Sequence, residues 1–543
     1  MSSKRKMPSP REELLKLHQR LYRRNRDVIE SSVLVEEPGF DQYERSYSQY
    51  VRDYRTLSSH EQMVKALLRA DIIYVGDYHT LNQSQRSFLR ILKTTVVEDP
   101  HFIVGLELFH ERYQPFIDRY LAGKITEKTF LQRVKLKEHW VFDLWENFKP
   151  IFDFCRYHHI PIQAIDAAPY GSTVRERDRA TAKLIARLQQ EHPQKKFFVF
   201  IGDLHIAPPH LPRDVKREMK KAHLSYRDII LYQNSVPIYW KLAKEELQDR
   251  VEVVYVDDRS YCRMHTPPII AQQSYLNWLD HEEGEIDYGN VRQSFLELVE
   301  QISTFLGMRI KQKDLESVEV FTAGDLSFLK RLREAKVFSK EEIETIKHQI
   351  LSSESYFIAK TRFVYLATLS LNHAAEEASH FMKHVCSGSE SPRELIDAFY
   401  ANILHEALGF WGSKIINHKR KCPHEQDFRE LVAYFESIHV PVDRRLEQES
   451  AHLILEYLRH EQKGKPLEYA DIFATRMDLF ISVTHALGYM LGEKLYYGLM
   501  DNVISKKEIR QLFCRAWRQK GEPLTVYWKI KKKLQTVRLP KRI

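Results

Sequence analysis

Cysteine is scarce and scattered in this chain: five thiols in 543 residues, Cys155, Cys262, Cys386, Cys422 and Cys514. An odd number with no C-x-x-C spacing excludes a disulfide framework and a zinc site built of paired thiolates. Glycine and proline are few, 18 and 21, which excludes a collagenous, low-complexity or turn-dense all-β chain. No run of about 18 apolar residues exists to span a bilayer. The basic start, MSSKRKMPSPREELLKLHQRLYRRNR, has neither an apolar signal core nor a lipidation cysteine. These absences lead us to expect a reducing, cytoplasmic setting.

What is present is globular. Hydrophobic residues make up 43% and charged residues 29%, with 28 Tyr and 28 Phe to fill cores. The length favours two or three domains over one. The formal charge of +9 is concentrated near the ends: Lys4, Arg5 and Lys6, then Arg20, Arg23, Arg24 and Arg26, and finally Lys529, Lys531 to Lys533, Arg538, Lys541 and Arg542. Such clusters attract phosphate or anionic lipid. No aromatic-interleaved motif accompanies them, so there is no specific nucleic-acid signature, and solvated helix faces and tails are the plainer reading.

Two regimes follow each other along the chain. Between about 71 and 257, short apolar runs alternate with amphipathic helical stretches, the rhythm of a mostly parallel sheet with flanking helices. The runs are IIYVG (72–76), FIVGLE (102–107), PIQAID (161–166), KFFVFIGD (196–203), RDIILY (227–232) and VEVVYVDD (251–258). They are almost continuously apolar, as strands covered on both faces should be. After about 290 long helical patterns take over. The expected organisation is therefore an α/β fold followed by an all-helical domain. Its segments are a basic helix and linker over 1–45, the α/β domain over 46–285, and the helical domain, in one or two lobes, over 286–543.

The ends of the apolar runs carry the chemistry. The first enters Asp77-Tyr78-His79, the second Glu107, the third Asp166, the fourth Asp203-Leu204-His205, and the later ones stop at Gln233 and Asp257. In an open parallel sheet such ends share one edge, where doubly wound folds bind ligands. G-x-x-H occurs there twice, over 76–79 and 202–205, and glycine after a strand is expected to let the chain turn sharply. Two imidazoles with a carboxylate suit a divalent metal or a histidine base oriented by an acid. His79, Glu107 and His205 are the candidate site. Arg175 and Arg177 are candidate anion holders, with ion pairs to Glu176 and Asp178 the alternative. His210, in IAPPHLP, is a candidate for the rim.

These segments resemble a known family. GDYH (76–79), GLELFHERYQPFIDRYLAGKITEKTFLQ (105–132), FKPIFDFCRYHHIPIQAIDA (148–167) and FIGDLH (200–205) are similar to the ChaN-like proteins. These belong to the haem-binding-uptake, Tiki and erythromycin-esterase-like superfamily. The resemblance keeps order and spacing over about 55–215 and continues weakly to about 285. It implies haem or a divalent metal ion as the cofactor, iron or a small molecule as the partner, and a homodimer sharing the haem. Tiki-like cousins imply instead a metal-dependent hydrolase with paired G-x-x-H motifs and a glutamate. By motif match His79, Glu107 and His205 take the metal or catalytic positions. Asp77 stands where the family has Glu and Asp166 where it has Asn, and Asp77, Tyr78, Asp166, Arg175, Asp203 and His210 are the further ligand-binding candidates. A haem would take an axial ligand, tyrosinate being one option, with Tyr78 and Tyr113 near the strand ends.

The helical half offers weaker signals. Glu377-x-x-His380 and Glu449-x-x-His452 have the spacing of bundle metal sites, yet the same spacing recurs at Glu98–His101 and Glu436–His439, so a polar helix face is the expectation. His405 and Glu406 adjoin ALGFWGSK (407–414), which pairs loosely with ALGYMLGEK (486–494). Glycines four apart there suit close helix packing. If the α/β domain has lost its chemistry, the helical half and basic tails would make this an interaction protein.

Overall fold

The computed structural model describes residues 9–32, 39–136, 144–282, 288–322, 325, 327–351, 355–367, 370–388, 393–437, 439–465 and 471–540. Lys4, Arg5, Lys6, Lys541, Arg542 and the expected boundary at 285–286 lie outside them. The chain divides into two compact units, Arg20–Ile286 with Pro540–Ile543, and Met1–Gln19 with Asp287–Leu539.

The first unit is built on one eight-stranded sheet: β1 (Thr56–Ser58), β2 (Ile72–Asp77), β3 (Phe102–His110), β4 (Ile162–Asp166), β5 (Lys196–Gly202), β6 (Asp228–Gln233), β7 (Val253–Asp257) and β8 (Ser260–Arg263). Their spatial order is β1-β7-β8-β6-β2-β5-β3-β4. The pairs from β8 through β6, β2, β5 and β3 to β4 are parallel, and only β1–β7 and β7–β8 are antiparallel. All six strands read from the sequence are present, each within three residues of its expected limits. β1 and β8 escaped notice because three or four residues are too few for a periodic signal.

Every residue of β2 is buried, and so are the first eight of β3. Burial on both faces explains why these segments read as continuous apolar runs instead of alternating ones. The core beside them is dense in aromatic rings: Phe88 stacks on Phe200 with centroids 4.2 Å apart, and Tyr120 on Phe130 at 4.6 Å. Trp145 and Phe152 close the same cluster.

The order of the strands positions the site. From β2 the chain travels out to β3, while from β5 it returns past β2 to β6, so the connections leave these two neighbours in opposite directions. That divergence opens a crevice at their carboxyl ends. Asp257 does not belong to that edge. Because β7 runs antiparallel to β8, its end lies at the opposite edge, and the turn at Asp258-Arg259 is what reverses the chain.

The second unit is mostly helical. It also contains one small sheet, β9 (Glu319–Thr322), β10 (Tyr356–Ile358) and β11 (Phe363–Leu366), in the order β10-β11-β9. Its strands of three or four residues fall below what a sequence pattern distinguishes. The long helices Leu371–Ser387, Leu395–Ile416 and Met477–Met500 pack closely. The glycines read as packing devices act as such. A Cβ on Gly488 would lie 2.3 Å from the Glu406 Cβ, and one on Gly492 would lie 2.5 Å from the Ala407 carbonyl oxygen. Among the described residues no helix is long and apolar enough to cross a membrane.

Candidate functional site

Three strand ends deliver three side chains to one rim. Beyond Leu106 the β3–β4 register shifts, and the β3–β5 register runs only as far as Leu106, so Glu107 is the first residue past the regular pairing. Its Oε2 accepts from the Gly202 backbone N–H at 2.7 Å, and its Oε1 accepts from Arg177. The two histidines approach opposite oxygens of this carboxylate: His79 Nε2 lies 3.8 Å from Oε2 and His205 Nε2 lies 3.7 Å from Oε1.

Each imidazole is held from behind by an aspartate. His79 Nδ1 donates to Asp77 Oδ2 at 2.7 Å, and Asp77 accepts a second bond from Gln85 at 2.6 Å. His205 Nδ1 donates to Asp178 Oδ1, also at 2.7 Å. Asp178 and Arg177 sit near the start of the helix Val174–Glu191, whose first turn is fixed by a capping box between Thr173 and Glu176. With each Nδ1 engaged on an aspartate, each Nε2 faces Glu107.

The electrostatics are those of a compensated buried anion. Burial alone would lift Glu107, but Arg177, His205 and His79 outweigh it and hold the carboxyl down at about 2. Burial pulls His79 down, yet Asp77 and Glu107 prevail and keep it above its ordinary value. The ionised Glu107 in turn raises Arg177. Exposure is graded across the trio: the His79 side chain is 29% exposed, His205 7% and Glu107 4%.

The glycines of the two G-x-x-H segments serve volume, contrary to the turn expected of them. Neither has a positive φ. A Cβ on Gly76 would fall 1.6 Å from Asp203 Oδ1, and one on Gly202 would lie 3.3 to 3.6 Å from Glu107, His205 and His79 at once. Glycine at 202 leaves the room in which the three groups face each other, and glycine at 76 admits the Asp203 carboxylate. Asp203 accepts from Tyr47, its other oxygen has no hydrogen-bond partner, and burial raises its carboxyl to about 7.

The remaining candidates fall into two groups. His210 stacks on Tyr43 with centroids 3.6 Å apart, donates from Nδ1 to the Leu204 carbonyl at 2.6 Å, and accepts from Ser46 at Nε2. Arg175 lies over the Tyr43 ring at 5.7 Å. Asp166 reaches only the edge of the site, 4.0 Å from Arg177 Nε. Tyr78 is half-buried, and no hydrogen bond ties its hydroxyl to either histidine. Tyr113 accepts from Arg112 at 2.9 Å and packs into the core, away from the rim.

Sequence reasoning missed the helix Phe40–Tyr50, which falls across the segment read as linker. Tyr43 donates to Asp178 Oδ2 at 2.8 Å and sits 3.1 Å from His205 Nδ1, while Tyr47 donates to Asp203. A signal was there. Phe40, Tyr43, Tyr47 and Tyr50 recur at spacings of three, four and three, one apolar face of a helix. Asp178, read only as an ion-pair partner, is buried and orients His205.

Residues 63–170 match the family of haem-binding uptake proteins, Tiki superfamily, ChaN. The ChaN match thus contains Asp77, His79, Glu107 and Asp166 and stops short of His205. No curated protein matches the chain. A solved structure of ChaN from Campylobacter jejuni, described as cofacial haem binding, is similar at 15% identity and a TM-score of 0.27, over 34% of this chain and 89% of that one.

The helical unit holds a second polar cluster where a solvated face was expected. Glu376 and Glu377 are buried, at 4% and 6% exposure. Arg420 donates to Glu376 at 2.8 Å and to the Tyr489 hydroxyl at 2.9 Å, and His485 Nδ1 lies 3.0 Å from Glu406. Glu449, by contrast, simply pairs with Arg476 at 2.9 Å on the surface.

Proposed function

We propose that the α/β unit is a ChaN-like haem- or metal-binding unit, with His79 as its outward ligand and Glu107 and His205 behind it. The observation that carries this reading is the pair of aspartate-backed imidazoles turned onto one carboxylate. A carboxylate behind Nδ1 fixes the tautomer and raises the basicity of Nε2, the arrangement metal-ligating histidines use. The match of residues 63–170 to haem-binding uptake proteins supports haem as the ligand class.

The donor set fits that group. Haem, when bound, supplies an iron that takes an axial imidazole, and His79 is the most exposed of the three side chains. Arg175, which forms no ion pair among the described residues, is suited to a propionate. Arg177 is committed to Glu107. The free thiols fit a reducing compartment such as the cytoplasm.

A second reading rests on the same dyads. An aspartate-held histidine is also a general base, so a metal-dependent hydrolase of the Tiki or erythromycin-esterase type would use His79 or His205 to take a proton from water. An absorbance spectrum with elemental analysis of the isolated protein separates the two. The haem reading expects a Soret band that His79→Ala removes. Stoichiometric zinc or manganese without a Soret band, lost in either His79→Ala or His205→Ala, supports the hydrolase. Reconstitution with haem that leaves the band unchanged in His79→Ala overturns the leading assignment.

A further inference from the structure

The helical unit contains a donor group that the rim chemistry does not use. Among the described residues, Cys422, His424 and Glu493 are the one set of three His, Cys, Asp or Glu whose ligand atoms all lie within 4.8 Å of one another. We propose that Cys422, His424 and Glu493 form a site for a zinc-class divalent ion, with its fourth position open to water.

The spacing is that of a shared ion. Glu493 Oε2 lies 3.4 Å from Cys422 Sγ and 3.0 Å from His424 Nε2. A tetrahedral zinc with Zn–S of about 2.3 Å and Zn–N or Zn–O of about 2.0 Å holds its ligand atoms roughly 3.3–3.5 Å apart. The two separations to Glu493 Oε2 therefore match those of a shared ion to within a few tenths of an ångström, and the third pair lies within 4.8 Å. A thiolate, an imidazole and a carboxylate together select zinc or a similar borderline ion over magnesium or calcium.

The surroundings orient the set. Cys422 and Glu493 are buried, at 5% and 3% exposure, whereas the His424 side chain is 42% exposed and marks the way in. Pro423, between the two loop ligands, restricts the backbone that presents them. Lys414, fully buried, donates to the other oxygen, Glu493 Oε1, and to the Arg420 carbonyl, each at 3.0 Å. That grip fixes the carboxylate plane and leaves Oε2 to the ion. Lys414 also lies 4.8 Å over the Tyr497 ring and 5.3 Å over that of Tyr496, so its charge is stabilised apart from Glu493.

Binding involves no change of oxidation state. The Cys422 Sγ–H bond breaks as the sulfur–metal bond forms, and that proton, with any proton on His424 Nε2, passes to solvent. The divalent ion, thiolate, carboxylate and Lys414 ammonium then sum to one positive charge. Three protein ligands with an open position is the pattern of ions that bind a fourth, exchangeable group.

The test is a cobalt(II) titration of the full-length, chelator-treated, reduced protein. The expected result is a thiolate-to-cobalt charge-transfer band in the near ultraviolet that saturates at one ion per chain and is bleached by zinc. Cys422→Ser should abolish the band. His424→Ala, on the exposed side and harmless to the core, should weaken cobalt binding by more than the roughly 10–100-fold that losing an outer-shell partner costs. His79→Ala and His205→Ala should leave the band intact, which keeps this site distinct from the rim. Absence of the band in the wild-type chain at excess cobalt, or an undiminished band in Cys422→Ser or His424→Ala, overturns the proposal.

Discussion

Glu107, just past the regular pairing of β3, and Glu377, on a helix of the other unit, are buried almost equally, at 5% and 6% exposure, yet their environments push them in opposite directions. Around Glu107 stand Arg177, His205 and His79, and the carboxyl falls to about 2. Around Glu377, burial is reinforced by Glu376 and Glu406, and the carboxyl rises well above its ordinary value. One is a compensated anion that can organise cations around it, and the other is an acid whose surroundings favour its protonated form. Burial by itself therefore says nothing about a carboxylate's role. The sign of its neighbours decides it.

The largest effect should come from removing the compensation. Arg177→Met keeps volume but leaves Glu107 buried without its guanidinium, and should cost about 3–5 kcal/mol in a urea titration at pH 7. A loss under about 1 kcal/mol would mean that the histidines suffice and that the contrast drawn here is overstated.

The pH dependence should separate the two acids next. A carboxyl lowered from 4.5 to about 2 contributes stability that is complete above its unfolded value and is lost as pH falls from 4.5 toward 2. Its size is on the order of 3 kcal/mol. Glu377 carries the reverse sign, because a raised acid destabilises progressively as pH climbs past 4.5 toward its folded value. Glu377→Gln should thus change stability by less than about 1 kcal/mol at pH 5 and be increasingly stabilising above it, whereas Glu107→Gln should be destabilising throughout that range.

Close packing gives a smaller and more local contrast. Gly488→Ala would drive a Cβ to 2.3 Å from the Glu406 Cβ on a neighbouring helix and should cost about 1–3 kcal/mol. Gly76→Ala meets only side-chain ends, the Asp203 carboxylate at 1.6 Å and Ile206 Cδ1 at 3.0 Å, which can give way. It should cost less, and show instead as a weakened pH response.

Asp203 is raised to about 7, so between about 4 and 7 the folded chain holds a proton that the unfolded chain has released. Stability therefore falls with rising pH across that window. Asp203→Asn should flatten the slope, read as the difference in denaturation midpoint between pH 5 and pH 8. An unchanged slope would show that the carboxyl titrates at its ordinary value.

How much of this was legible depends on the residue. His79, Glu107 and His205 could be read because each ends an apolar run, and strand ends in a parallel sheet must share an edge. Glu376 and Glu377 could not, because on an isolated helix they look like a solvated face. It takes the packing of other elements, the helices Leu395–Ile416 and Tyr288–Leu306 foremost, against theirs to bury them. Tyr43 belonged to a segment read as linker, Tyr47 to the start of the α/β domain where no helix was read, and Asp178 to an apparent surface ion pair. The stretch GLELFHERYQPFIDRYLAG contributes one candidate site residue, Glu107. Leu108, Phe109, Tyr113, Ile117 and Tyr120 within it are buried core.

The sequence alone determined the strands, their shared edge and the identity of three facing side chains, because period, apolar run length and strand polarity are local properties of the chain. The tertiary structure decided which aspartate stands behind each histidine, which arginine neutralises Glu107, why glycine occupies positions 76 and 202, and which glutamates of the helical unit lose their water. Those are matters of distance and desolvation between segments remote in sequence, and they exist only once the chain has folded.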